Sequence, residues 1–167
     1  MRPSTRRRLA RAAVKGRALK SIDQRADGVT DLTRYEQYLT QERSKLSGKV
    51  RGAELLSISR FDLGKESFHD SRFVSLETVS ESPEKPDEDL DQKTCLRLLG
   101  PYFDRHFDLC YERVTSLNFR QPGRRDDLLV HEIRNEGVCV VHEIHFDGGG
   151  FLEVACEQID FRDTPVS

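Results

Sequence analysis

Apolar and polar residues alternate most regularly between Arg125 and Arg162, in the run RDDLLVHEIRNEGVCVVHEIHFDGGGFLEVACEQIDFR. A period of two marks strands with one buried face. Asn-Glu-Gly and Asp-Gly-Gly-Gly interrupt the run, and Gly and Asn tolerate the positive φ of tight turns. Three antiparallel strands are therefore expected near 127–133, 138–146 and 152–161. With loops at 134–137 and 147–151, Ile133 faces Val138, His131 faces Val140, Leu129 faces His142, and His142 faces Cys156. Leu129, His131, Ile133, Val138, Val140, His142, Ile144, Phe146, Leu152, Val154 and Cys156 then share the core face. Glu132, Arg134, Glu143, His145, Glu153 and Glu157 share the other. A slip by one residue would bury those carboxylates against the core, which specifies the faces.

Earlier segments are shorter or more helical. Leu32, Tyr35, Tyr38 and Leu39 fall at helical spacing, and their default role is core packing. Asp31 is placed to cap a helix reaching about Lys45, and Gly48 to end it. Leu55, Leu56, Ile58 and Phe61 read as a short strand or a packed connection. Strands are expected at Arg72–Val79 and near 93–99, 106–112 and 114–120, with Gly100-Pro101 and Pro122-Gly123 as breaks. A helix from about Thr5 to Lys20 has only a thin apolar stripe. The fold class is thus α+β. A dominant antiparallel sheet of about six to eight strands curls into a half-barrel or sandwich, with one or two N-terminal helices.

Length and charge refine this picture. The 167 residues fit one domain, perceived as a basic helical arm (1–50) and an antiparallel β-rich domain (51–167). Residues 1–50 hold 13 Lys and Arg against 5 Asp and Glu, a net of +8; residues 51–167 hold 14 against 24, a net of −10. Arg6, Arg7, Arg8 and Arg11 make the arm a candidate nucleic-acid contact, though no aromatic residues interleave them for base stacking. Residues 81–92, ESPEKPDEDLDQ, carry six acids, two prolines and one lysine and read as a solvated loop. No apolar run is long enough to span a membrane. The N-terminus lacks the apolar centre of a secretory signal, so a cytoplasmic location is expected. Cys95, Cys110, Cys139 and Cys156 are then expected to be reduced, buried thiols.

Candidate chemistry is sparse. His69-Asp70 invites a general-base reading, but neighbours on a strand point to opposite faces and no nucleophile is placed beside them; a turn is the simpler account. His131, His142 and Cys156 share a face and could ligate a metal, yet His142-Glu143-Ile144-His145 lacks the spacing of a helical zinc motif. Neither a metal nor a cofactor is expected. Gly148-Gly149-Gly150 lacks the Lys-Ser/Thr of a phosphate loop and reads as a hairpin turn. A hydrolase built on His69, Asp70, His131, His142 and His145 remains a reading of another class. The outer-face residues Glu132, Glu143, His145, Glu153 and Glu157 suit recognition of a basic protein partner better than acid–base catalysis, because an open sheet face offers no pocket to separate their pKa values.

From Phe68 to Asp163 the order of features is His-Asp, a strand pair, Asp-x-Leu-x-His-Glu-Ile, a Val-His-Glu-Ile hairpin and a Gly-rich turn. It resembles small uncharacterised bacterial β-rich proteins, some of which occur as immunity proteins beside polymorphic toxins. The resemblance implies a non-enzymatic binder whose acidic face occludes a basic toxin surface.

Overall fold

A computed structural model describes residues 19–24, 30–62, 64–80 and 92–167. The expected helix at 5–20, apart from its last two residues, lies outside these residues. So do Arg6, Arg7, Arg8 and Arg11, and almost all of the acidic segment. Strands β1 (Asp23–Gln24) and β2 (Thr30–Asp31) pair before helix α1 (Thr33–Ser47). Then come β3 (Val50–Arg51), two short 3-10 turns, β4 (Arg72–Ser80), β5 (Gln92–Leu99) and β6 (Arg105–Arg120). Strands β7 (Leu128–Glu136), β8 (Cys139–Phe146) and β9 (Phe151–Pro165) complete the chain.

Seven strands form one sheet in the order β4-β5-β6-β9-β8-β7, and the sheet does not close. β3 runs parallel to β9 at Ile159–Asp160, beyond the last β8 pairing at Cys156. Every other pairing is antiparallel. This is the expected sheet-dominated α+β class, with one α-helix among the described residues. The helix begins two residues later than Asp31, whose Oδ1 accepts from the Thr33 amide at 2.9 Å.

The hairpins correct the expected register. Glu136 pairs with Cys139, so the first turn is only Gly137-Val138, with Gly137 at φ 72°. Ile133 consequently faces His142, not Val138, and Val138 stands 80% exposed at the turn. Across the second turn His142 faces Val154, not Cys156. Both displacements are even, so the side chains other than Val138 keep their expected faces. A bulge between Leu128 and Val130 makes a second exception, putting Leu128 rather than Leu129 in the core.

The two strands expected at 106–112 and 114–120 are one strand. Arg113 sits in it at φ 51°. On either side of it the buried set changes parity: Phe107, Leu109 and Tyr111 are buried before, and Val114 packs on the core after. Opposite, Cys156, Val154 and Leu152 are buried, then Ile159 and Phe161.

α1 contributes Tyr35, Leu39 and Leu46 to this same core, and the 3-10 turns add Leu55 and Leu56. Each such buried side chain contributes about 1.5–3 kcal/mol. Residues 30–50, assigned by charge to an arm, are thus built into the core. Gly52 lets the chain pass close to β9: its φ is 86°, and a Cβ there would lie 2.7 Å from the Phe161 carbonyl oxygen.

Candidate binding edge

The outer face of β7, β8 and β9 is not the open acidic surface that the alternation implied. Glu132, Glu143 and Glu153 do form one row across the three strands. Like charges directly opposite one another repel. Arg134 resolves the repulsion: its Nη1 lies 3.2 Å from Glu132 and 2.7 Å from Glu143, and its Nη2 3.8 Å from Glu153. His145 Nε2 donates to Glu143 at 2.8 Å. Burial pushes the Glu143 carboxyl up, but the bonds from His145 and Arg134 outweigh it and hold the group below its ordinary range. The chain itself then covers the Glu132 end of the row. The amides of Lys20 and Ser21 donate to Glu132 at 3.0 and 2.8 Å, and Lys20 Nζ pairs with Glu136. Glu132 is 0% and Glu143 4% exposed. A partner cannot reach them as expected: Lys20 and Ser21 occupy Glu132, and Arg134 and His145 hold the buried Glu143. Glu153 and His145 are largely covered, and Glu157, paired with Arg113, is half-exposed.

The inner-face histidines form a closed relay. His131 Nε2 donates to the Arg60 carbonyl at 2.9 Å, which leaves its Nδ1 as an acceptor. His142 Nε2 donates to that Nδ1 at 3.1 Å, and His142 Nδ1 accepts from the Tyr111 hydroxyl at 2.9 Å. Phe61 and Phe68 stack on the two sides of His131 at 4.1 and 4.6 Å. Burial drives the His131 pKa down to about 3 and the His142 pKa well below the ordinary value, so both rings are neutral. Cys156 donates to the Gln158 carbonyl, and burial pushes its thiol up to about 12. The candidate ligands His131, His142 and Cys156 are thus committed to the protein's own groups. Among the described residues no group of three or more His, Cys, Asp or Glu is arranged to hold a metal.

His69 Nδ1 and Asp70 Oδ1 do meet, at 3.1 Å, in the turn before β4. Asp70 adopts φ 63°, a conformation Asp tolerates, and its amide donates to the Leu128 carbonyl. The neighbouring Ser71 hydroxyl is buried and makes no hydrogen bond among the described residues. The hydrolase residues therefore fall in three places: this turn, the core relay, and the Glu143–His145 pair on the opposite sheet face.

What distinguishes the surface is the treatment of the two sheet edges. At the β7 edge, the Tyr35 hydroxyl donates to the Ile133 carbonyl at 3.0 Å and accepts from its amide at 2.7 Å. The Tyr38 hydroxyl accepts from the Asn135 amide at 2.6 Å, and Glu42 takes the Asn135 side-chain amide. One face of α1 thereby satisfies the outward backbone groups of an edge strand, which otherwise invite pairing. The stripe read as packing alone does this as well; the aromatic choice at Tyr35 and Tyr38 was the available signal.

β4 is the other edge. Its start meets β7: Leu128 N donates to Ser71 O at 2.8 Å, and Arg72 bridges Asp127. Beyond that bridge no described strand pairs with its outer side. Which groups point outward follows from the neighbouring ladder. Cys95 and Cys110 are opposed across β5 and β6 with Cα atoms 4.1 Å apart, the spacing of a non-hydrogen-bonded pair. Cys95 therefore turns its backbone groups toward Glu77 of β4. Leu76 and Thr78, one position either side, turn theirs to the open edge. Val74 and Val79 are 47% and 48% exposed along it.

Cys95 and Cys110 are joined in a disulfide, which corrects the expectation of four reduced thiols. They lie on the outer face beside this edge, in a groove of about 450 Å³. Three rows cross that face: Glu77-Cys95-Cys110-Asp160, Ser75-Arg97-Asp108-Arg162 and Val79-Lys93-Glu112-Gln158. Arg97 grips Asp108 through Nε at 2.6 Å and Nη2 at 3.1 Å, and Lys93 meets Glu112 at 3.1 Å.

Comparison with protein-family models, with curated proteins and with solved structures finds no match to this chain.

Proposed function

We propose that this protein is a non-enzymatic binding module that captures a basic protein partner by adding one of the partner's extended segments to the β4 edge. The observation that carries the reading is the asymmetry of the edges: Tyr35 and Tyr38 seal β7, while Leu76 and Thr78 leave amides and carbonyls facing outward on β4. Strand addition uses such groups for affinity and the flanking side chains for specificity. Charge selects the partner. Glu77 stands on the edge strand, and β4 leads in sequence straight into residues 81–91, with six acids against one lysine. The resemblance to immunity proteins agrees with an inhibitory capture of this kind. The expected acidic face of Glu132, Glu143 and Glu153 is replaced by this edge, because the first two are buried.

The test is capture of a basic protein from source-cell lysate by the intact chain, by Thr78→Pro and by Val74→Lys/Val79→Lys. Proline at 78 removes an outward amide without touching the β4–β5 ladder, and the paired lysines repel a basic strand. The expected result is a partner lost with both variants and retained by Val138→Lys at the β7–β8 turn. A partner held equally by folded Thr78→Pro and by the lysine variant, with melting curves like the parent, overturns the reading.

A further inference from the structure

The Cys95–Cys110 bridge has a chemical setting of its own. It lines an open groove, and both residues are partly exposed. Seven successive pairings, from Lys93–Glu112 to Leu99–His106, hold β5 on β6 whether or not the sulfurs are bonded. Opening the bridge therefore leaves the two cysteines opposed and ready to close again. Each cysteine has a carboxylate opposite it on its other side, Glu77 for Cys95 and Asp160 for Cys110, so the difference in sign lies along their own strands. On the same face, two residues either side of Cys95, stand Lys93 and Arg97. In the same positions about Cys110 stand Asp108 and Glu112. Cations favour a thiolate and carboxylates disfavour one.

We infer that Cys95–Cys110 is a thiol–disulfide exchange site for small thiols of the glutathione class, with Cys110 as the sulfur attacked and Cys95 as the leaving thiolate. The incoming thiolate bonds to Cys110 Sγ as the Cys110–Cys95 bond breaks, and the electron pair leaves on Cys95, beside Lys93 and Arg97. A second thiolate attacks the external sulfur of the mixed disulfide. It releases the Cys110 thiolate and carries away the oxidised thiol dimer. Two external thiols are oxidised and one protein disulfide is reduced. In reverse, Cys95 attacks the mixed disulfide on Cys110. The better leaving group is the more stable thiolate, which sets the direction of attack.

The experiment equilibrates the intact chain, without denaturant, in buffers of reduced and oxidised glutathione at pH 7. Acid quenching, alkylation and peptide mapping by mass spectrometry follow. Single-cysteine-removed variants Cys95→Ser and Cys110→Ser, shown folded by urea unfolding, are alkylated alongside. The expected results are a bridge that opens in the native state, glutathione found on Cys110, and Cys95 alkylated about tenfold faster than Cys110. A bridge that opens only after unfolding, or is absent from air-equilibrated protein, overturns the site. Glutathione on Cys95, or equal alkylation rates, overturns the assigned roles, and the mapping on the intact chain decides this even where a variant fails to fold.

Discussion

The hydroxyl of Tyr35 stands 2.7 Å from the amide nitrogen of Ile133 and 3.0 Å from its carbonyl oxygen, so one side-chain atom satisfies both backbone groups of a buried edge residue. Tyr35→Phe keeps the ring, which packs edge-on against Phe61, and removes only that atom. A donor and an acceptor are then left buried without partners, at about 1–3 kcal/mol each before relaxation. The expected loss is about 2–3 kcal/mol in urea unfolding. The β7 edge also becomes available for pairing, so light scattering should show self-association that the parent lacks.

Arg134 reaches all three carboxylates of the Glu132, Glu143 and Glu153 row on that sheet face. Arg134→Met removes the guanidinium that pairs with the buried carboxylates Glu132 and Glu143, a change expected to cost about 3–5 kcal/mol. Combining it with Glu132→Gln and Glu143→Gln should recover much of the loss, because the repelling charges go too. Thermal unfolding of the single and triple variants checks this; a triple variant no more stable than the single one would contradict it.

The histidine relay makes stability depend on pH. In the folded protein His131 is held at about 3 and His142 well below its ordinary value. The unfolded chain therefore binds protons that the folded chain refuses. Stability from each ring is complete above about pH 6.5 and is lost as pH falls toward the folded values, at roughly 1.4 kcal/mol per unit per ring. Urea unfolding at pH 7.5 and 5.5, above the range where carboxylates contribute, should show the fall. In His142→Gln the slope should be about one ring shallower than in the parent.

Gly52→Ala tests the close passage of the chain beside β9 after β3. The residue adopts φ 86°, and a methyl group would meet the Phe161 carbonyl oxygen at 2.7 Å. A left-handed conformation alone costs alanine about 1–2 kcal/mol, and the contact adds to it. Unfolding of Gly52→Ala should show at least that loss, whereas Gly64→Ala, with open space around it, should be near neutral.

The periodicity of 125–162 was enough to sort side chains into faces, because a period of two survives any even error in register. It was not enough to set the register itself. That depended on Gly137 taking a two-residue turn and on a bulge at Leu129, which leave no mark on the alternation. Nor could it show that the glutamate face was covered, since Lys20 and Ser21 reach Glu132 with backbone amides that any residue would supply. The break that divided β6 in two was real but local: Arg113 shifts the alternation while hydrogen bonding runs on. The Cys95–Cys110 bond required knowing that β5 and β6 pair with those two residues opposite, a fact of topology carried by neither cysteine's surroundings.

The bridge between Arg72 and Asp127 has a further consequence for anything that pairs with β4. It acts as a doorstop. An incoming strand slides along the edge only as far as Phe73, where the start of β7 already occupies the next position. Counted from that stop, the described edge offers eight residues from Phe73 to Ser80, or about 26 Å of extended chain. An edge open at both ends accepts a guest in many alignments. This one has a fixed origin from which a guest's side chains are counted, so recognition can distinguish not only a guest's composition but its reading frame.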